Sequence, residues 1–179
     1  MRRKFAHEWD EIIYLFRRIL YWFHDVQDRK RALRYRKRFR ALLEKAASAH
    51  EAIFGEECWS LLSELEGDLD AAIKYRENEI RLVRSFWKLL EKEPLSPDIE
   101  ESVMKGYHPI DLSHRMILLA ILYDDAGRRD DAVRALQESK KLCRERRIPF
   151  HGAEILKELT EDRRERVHRL EPYPTSRTA

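Results

Sequence analysis

Through most of this chain apolar side chains recur every three or four positions, the spacing that gathers them on one side of an α-helix. Met116, Leu119, Ala120 and Tyr123 form the clearest stripe, and Ala132, Val133 and Leu136 form a second. Gly127 stands between them. Glycine enters the left-handed region at little steric cost, so it lets the chain turn back between two amphipathic helices. The pattern predicts a helical hairpin over residues 111–147, whose two apolar faces pack together.

The same pattern occurs twice more. Residues 28–45 align with 68–85 at an offset of 40, pairing Asp28 with Asp68, Ala32 with Ala72, Tyr35 with Tyr75, Arg36 with Arg76 and Leu42 with Leu82. A further offset of 60 brings Ala132-Val133-Arg134 onto Ala72-Ile73-Lys74. Internal similarity of this kind is the signature of repeat architectures. It predicts hairpins over 7–49 and 52–92, with helices spanning 7–26, 29–49, 52–65 and 69–92. In the first hairpin Phe16, Ile19, Leu20 and Phe23 fill the stripe, Gln27 replaces the turn glycine, and the bulk of Leu20 pushes the helices apart. In the second, Gly67 supplies the turn and Asp68 a helix cap. Its stripe, Cys58, Trp59, Leu62 and Leu65, runs one residue out of step. Pro94, Pro97 and Pro109 mark residues 94–110 as an insertion carrying a short helix over 98–105, after which Asp111 or Ser113 caps the third hairpin. A helix over 152–170 covers the last repeat, and 171–179 read as a disordered tail.

Leu119, Ala120, Tyr123, Gly127 and Ala132 follow the order large, small, aromatic, glycine, small, and in this the chain resembles the tetratricopeptide repeat (TPR) family. The resemblance implies an all-α fold: a short right-handed α-solenoid of three TPR-like hairpins with a C-terminal capping helix, in one domain over 1–170. It also implies a non-catalytic protein-interaction module or small adaptor. Its client, a peptide or protein, would lie in a concave groove lined by the first helix of each hairpin. The family's groove positions fall on Tyr14, Arg17, Tyr21 and His24 in the first repeat, and on His114, Ile117, Ile121 and Asp124 in the third. In the second the candidates are Glu56, Glu57, Ser60 and Glu64. The basic and asparagine positions with which some members clamp a terminal carboxylate are not matched. The groove as read suits a peptide with apolar anchors and mixed charge.

Charge adds two alternatives. The chain carries 36 Lys and Arg against 33 Asp and Glu, a net +3, but unevenly: residues 1–50 hold 14 against 6, and residues 51–111 hold 7 against 15. Arg29, Lys30, Arg31, Arg34, Arg36, Lys37, Arg38 and Arg40 crowd into twelve positions, with Tyr35 and Phe39 interleaved. Phosphate neutralisation with aromatic stacking would suit nucleic acid, ranked below a protein partner. Opposite charge on neighbouring hairpins equally suits intramolecular pairing, or self-assembly into a homo-oligomer. The first helix is apolar on more than one side, and Tyr14, Tyr21 and Trp22 could meet a partner.

Candidate chemistry is sparse. No two of the seven histidines stand at i, i+3 or i+4, the pair His108 and His114 straddles a proline, and the acids around Gly127 read as caps, so no metal site is predicted. No serine elbow, phosphate loop or glycine-rich fingerprint occurs, so no cofactor and no enzymatic role are predicted. Cys58 and Cys143 fall in amphipathic patterns and read as buried, reduced thiols. The longest apolar run, Ile12 to Phe23, holds Arg17 and Arg18 and is too short to span a bilayer. With no signal peptide visible, a cytoplasmic location is the default expectation.

Overall fold

The computed structural model describes residues 7–46, 52–92 and 109–161. All regular structure among them is helical: α1 (Glu8–Leu20), a π-helical turn (Tyr21–Asp25), α2 (Arg29–Lys45), α3 (Ala52–Glu66), α4 (Leu69–Lys92), α5 (Pro109–Asp125), α6 (Arg129–Arg146) and α7 (Ala153–Thr160). The α-helices pack on their neighbours in chain order, most closely within the pairs α3–α4 and α5–α6.

Local chemistry sets the ends. Asp28 and Asp68 are equivalent N-caps, their carboxylates accepting from the backbone N–H of Arg31 at 2.9 Å and of Ala71 at 3.1 Å. The three turns share one conformation: Gln27 (φ 58), Gly67 (φ 87) and Gly127 (φ 75) all lie in the left-handed region. Gln27 therefore occupies the glycine slot despite its side chain. The Asp68 N–H donates to the Ser63 carbonyl and the Arg128 N–H to that of Tyr123, each five residues back; the Asp28 N–H reaches six back, to Trp22. The π-helical turn supplies that extra residue.

Small residues let the later helix pairs approach. Ser60 is fully buried and donates to the Ala72 carbonyl at 2.9 Å, and the equivalent Ala120 and Ala132 are also fully buried. Leu20 stands at that slot in the first hairpin, and α1 and α2 lie less closely side by side. Two apolar clusters result. Ile12, Phe16, Ile19, Phe39 and Leu42 pack with Cys58, Leu61, Leu62 and Leu65 of α3. Ile73, Ile80 and Val83 of α4 pack with Met116, Leu119, Leu122 and Leu136. The α3 stripe is out of step because that helix is buried on two sides: Leu61, Leu62 and Leu65 face the first hairpin, while Ser60 meets α4.

Several expected boundaries are corrected. The first helix is α-helical only to Leu20, not unbroken to Val26. The third hairpin begins at Pro109, whose missing N–H costs nothing in a first turn, so the insertion ends before it and neither Asp111 nor Ser113 is the cap. Ser113 is instead buried against Ser139, their hydroxyls 2.8 Å apart. The α7 helix ends at Thr160. The short helix over 98–105, the end of the helix predicted to 170 and the tail lie outside the described residues. Cys58 and Cys143 are buried free thiols, as expected. None of the described helices is long and apolar enough to cross a membrane.

Candidate functional site

A row of polar and ring contacts joins the first helices of the hairpins to their neighbours. His24 Nε2 lies 3.6 Å from Glu64 Oε2, linking the π-helical turn to α3. Arg115 Nη2 lies 3.9 Å from Glu57 Oε2, linking α5 to α3. The rings of His114 and His151 stand 5.3 Å apart, linking α5 to the turn before α7. His24, Glu64 and Asp124 are the same repeat position, each three residues before its turn residue. Gly67 thus fixes the register of the second hairpin. Counted back from it, Phe54, Glu57, Leu61 and Glu64 stand where the other hairpins have their candidate positions, while Ser60 is taken by Ala72 and Glu56 stands beside Asn78 of α4.

Below this row lies a charge network that sequence reasoning missed. Glu79 is fully buried, accepting from Arg76 Nη1 and from Arg115 Nε, each at 2.5 Å. Arg76 and Glu79 fall on the apolar stripe of α4, between Ile73 and Ile80. An opposite-charge pair at core positions was a visible signal. Its third member, Arg115, comes from another helix and could not be paired from sequence.

Burial governs the titration of the row. It pushes the Glu64 carboxyl up to about 7, against the pull of Arg76. Burial, then the Glu79 charge, also raises Glu57, while Arg76 and Arg115 pull it down. The imidazole of His24 is held below its ordinary range by burial and by Arg76. That of His114 is lowered by burial and then by His151. Near neutrality His24 is therefore a poor cation for Glu64, and the contact is not a full ion pair.

The remaining groove candidates are scattered in exposure. Arg17 is exposed and Tyr21 is 45% exposed, whereas Tyr14 packs against the first cluster and Ile117 is buried. Ile121 packs on the second cluster, and Asp124 is half-buried. Of the aromatic surplus, Trp22 also packs inward, with Arg31 4.6 Å above its ring.

The basic run is largely spent inside the molecule. Arg29 Nε donates to the Leu65 carbonyl at 3.0 Å. Arg38 makes a two-pronged contact with Glu11 at 2.9 and 2.6 Å. Arg36 lies 3.7 Å from Glu66, Arg40 pairs with the same carboxylate, and Arg31 pairs with Asp28 at 3.1 Å. Lys30, Arg34 and Lys37 are exposed along one stripe of α2. Asp131, one of the acids around Gly127, accepts from Arg128 and Arg134. Among the described residues no group of three His, Cys, Asp or Glu is placed to hold a metal ion.

No family model, curated protein or solved structure matches the chain.

Proposed function

We propose that the chain is a non-catalytic protein-interaction module, a small adaptor built as a short right-handed α-solenoid of TPR-like hairpins. Three kinds of equivalence support the architecture. Residues 27, 67 and 127 share one turn conformation. The small pair Ser60 and Ala72 repeats as Ala120 and Ala132. Arg29 donates to the Leu65 carbonyl near the end of α3, and Arg129, one hundred positions on, donates to the Leu159 carbonyl near the end of α7 at 2.8 Å. By that last equivalence α7 takes the place of the first helix of a fourth hairpin.

The client lies across the first-helix face and presents Lys or Arg to Glu64 and Glu57, with Tyr21 as an aromatic contact. The observation that carries this reading is Glu64: a carboxyl that burial pushes up to about 7 against the pull of Arg76, and that meets at 3.6 Å a histidine which burial holds below its ordinary range. An arriving ammonium or guanidinium supplies the missing charge and releases the proton, so affinity rises with pH. Selection from a random dodecapeptide library at pH 8 tests it. Lys- or Arg-bearing sequences should be enriched on the wild type and not on Glu57→Gln/Glu64→Gln. Equal enrichment on both proteins, or enrichment of acidic sequences through this face, counts against the reading.

A further inference from the structure

A furrow of about 560 Å³ opens between α4 and α6 above α5. Its floor is apolar, with Ile80, Met116, Leu119 and Ala135. On the α4 side it runs from Glu77 to Lys88, about 16 Å at the helical rise. The preceding gap, between α2 and α4 above α3, provides an internal control. There the position equivalent to Leu119 is Trp59, that of Ala135 is Tyr75 and that of Ile80 is Arg40. Trp59 and Tyr75 stack with ring centroids 6.0 Å apart, and the Arg40 guanidinium lies 5.8 Å over the Trp59 ring. The first gap is filled by an aromatic sandwiched against a tyrosine and an arginine. The second has smaller residues at all three places and stays open.

The rim carries a cation surplus. Arg81, Arg84, Lys88, Arg128 and Arg134 face Glu77, Asp131 and Glu138. Arg128 and Arg134 share Asp131, Arg84 meets Glu138 at 3.0 Å, and Glu77 is taken by the Tyr123 hydroxyl. Arg81 and Lys88 are exposed toward solvent.

From the empty aromatic slot and this charge we infer that the α4–α6 furrow docks an acidic peptide segment of a partner protein, with an aromatic side chain seated above Leu119 and flanking carboxylates on Arg81 and Lys88. This is the helix-face recognition mode in which one buried anchor sets the affinity and rim charge sets the partner. The site is separate from the first-helix face, and so is its test.

The probe is a fluorescein-labelled dodecapeptide with one tryptophan flanked on both sides by glutamates, followed by fluorescence anisotropy against the full chain at low salt. Saturable binding is expected, weakened about tenfold or more when the tryptophan becomes alanine or the glutamates become lysines. Leu119→Trp, which rebuilds the filled gap, should weaken binding about tenfold or more, with unchanged circular dichroism. Arg81→Glu/Lys88→Glu should do the same, and being exposed it decides the matter if Leu119→Trp fails to fold. Glu64→Gln should leave this binding unchanged. No binding, equal binding by the lysine peptide, or indifference to the furrow variants overturns the proposal. So does a dimer of the free protein that Leu119→Trp abolishes, which would give the furrow to a second copy.

Discussion

Arg115 of α5 donates to Glu79 of α4 at 2.5 Å, and the carboxylate it reaches is fully buried. The bond joins the second hairpin to the third. Removing one partner from a buried charge cluster leaves the others uncompensated, which costs about 3–5 kcal/mol. Glu79→Ala should lose that much in urea unfolding. Arg115→Met, which leaves Glu79 bonded to Arg76, should lose less. A Glu79→Ala loss under about 1 kcal/mol would show that the network relaxes without it.

Gln27 holds the left-handed conformation that Gly67 and Gly127 supply elsewhere. A residue with a Cβ is disfavoured there by about 1–2 kcal/mol, partly offset by the greater unfolded-state freedom of glycine. Gln27→Gly should therefore stabilise the protein by about 0.5–1 kcal/mol. Gly127→Ala should destabilise it by about 1 kcal/mol, through backbone strain alone, since an added Cβ there meets nothing within 4 Å. Equilibrium denaturation of both variants checks the pair; a loss of stability in Gln27→Gly would mean that the glutamine side chain contributes more than its backbone costs.

The Glu64 carboxyl titrates at about 7 in the folded chain, against 4.5 for a free glutamate. Folded protein binds this proton more tightly than unfolded, so the stability it contributes is present below about pH 4.5 and lost as pH rises through about 7. Burial shifts His24 the other way, so its contribution is present above its ordinary value of 6.5 and lost as pH falls below it. Glu64→Gln removes the first effect and leaves the second. Relative to wild type it should be near neutral at pH 5 and about 2 kcal/mol more stable at pH 8. Unfolding free energies measured across that range check the sign; a constant difference would place the Glu64 carboxyl in its ordinary range.

Gly152 packs in the turn before α7, where an added Cβ would lie 2.8 Å from the Phe150 ring and 2.9 Å from Leu136. Leu136 is fully buried and has little room to give. Gly152→Ala should cost about 1–3 kcal/mol as overpacking. Amide exchange in α7 should quicken more than in α3; uniform exchange would mean that α7 is not separately docked.

The hairpins were legible because their signals are local. Gly67, Gly127, Asp68 and the pairs of small residues each act within a turn or two of their own position. Gln27 was legible as a departure, but not in its outcome, because the Asp28 cap and the stripes on either side impose the turn on a residue that would not choose it. The π-helical turn left no mark, since nothing in Tyr21 to Asp25 distinguishes it from continuing α-helix. The geometry around the candidate site was legible only in part. Glu57 and Glu64 fell among the candidates, and Gly67 could have fixed their register by counting back. Their titration depends on burial and on Arg76 and Arg115, which only the packing of α3, α4 and α5 brings together. For the basic run, pairing within the molecule was legible as one reading, but its partners were not, because Glu11, Glu66 and the Leu65 carbonyl lie far along the chain.

The most direct measurement is a pull-down from native lysate with tagged wild-type protein, Tyr21→Ala and Glu57→Gln/Glu64→Gln in parallel, each with and without nuclease. The account predicts a defined protein that survives nuclease on the wild type and is depleted on both variants. Proteins or nucleic acid that vanish with nuclease, or a client held equally by all three, would contradict it.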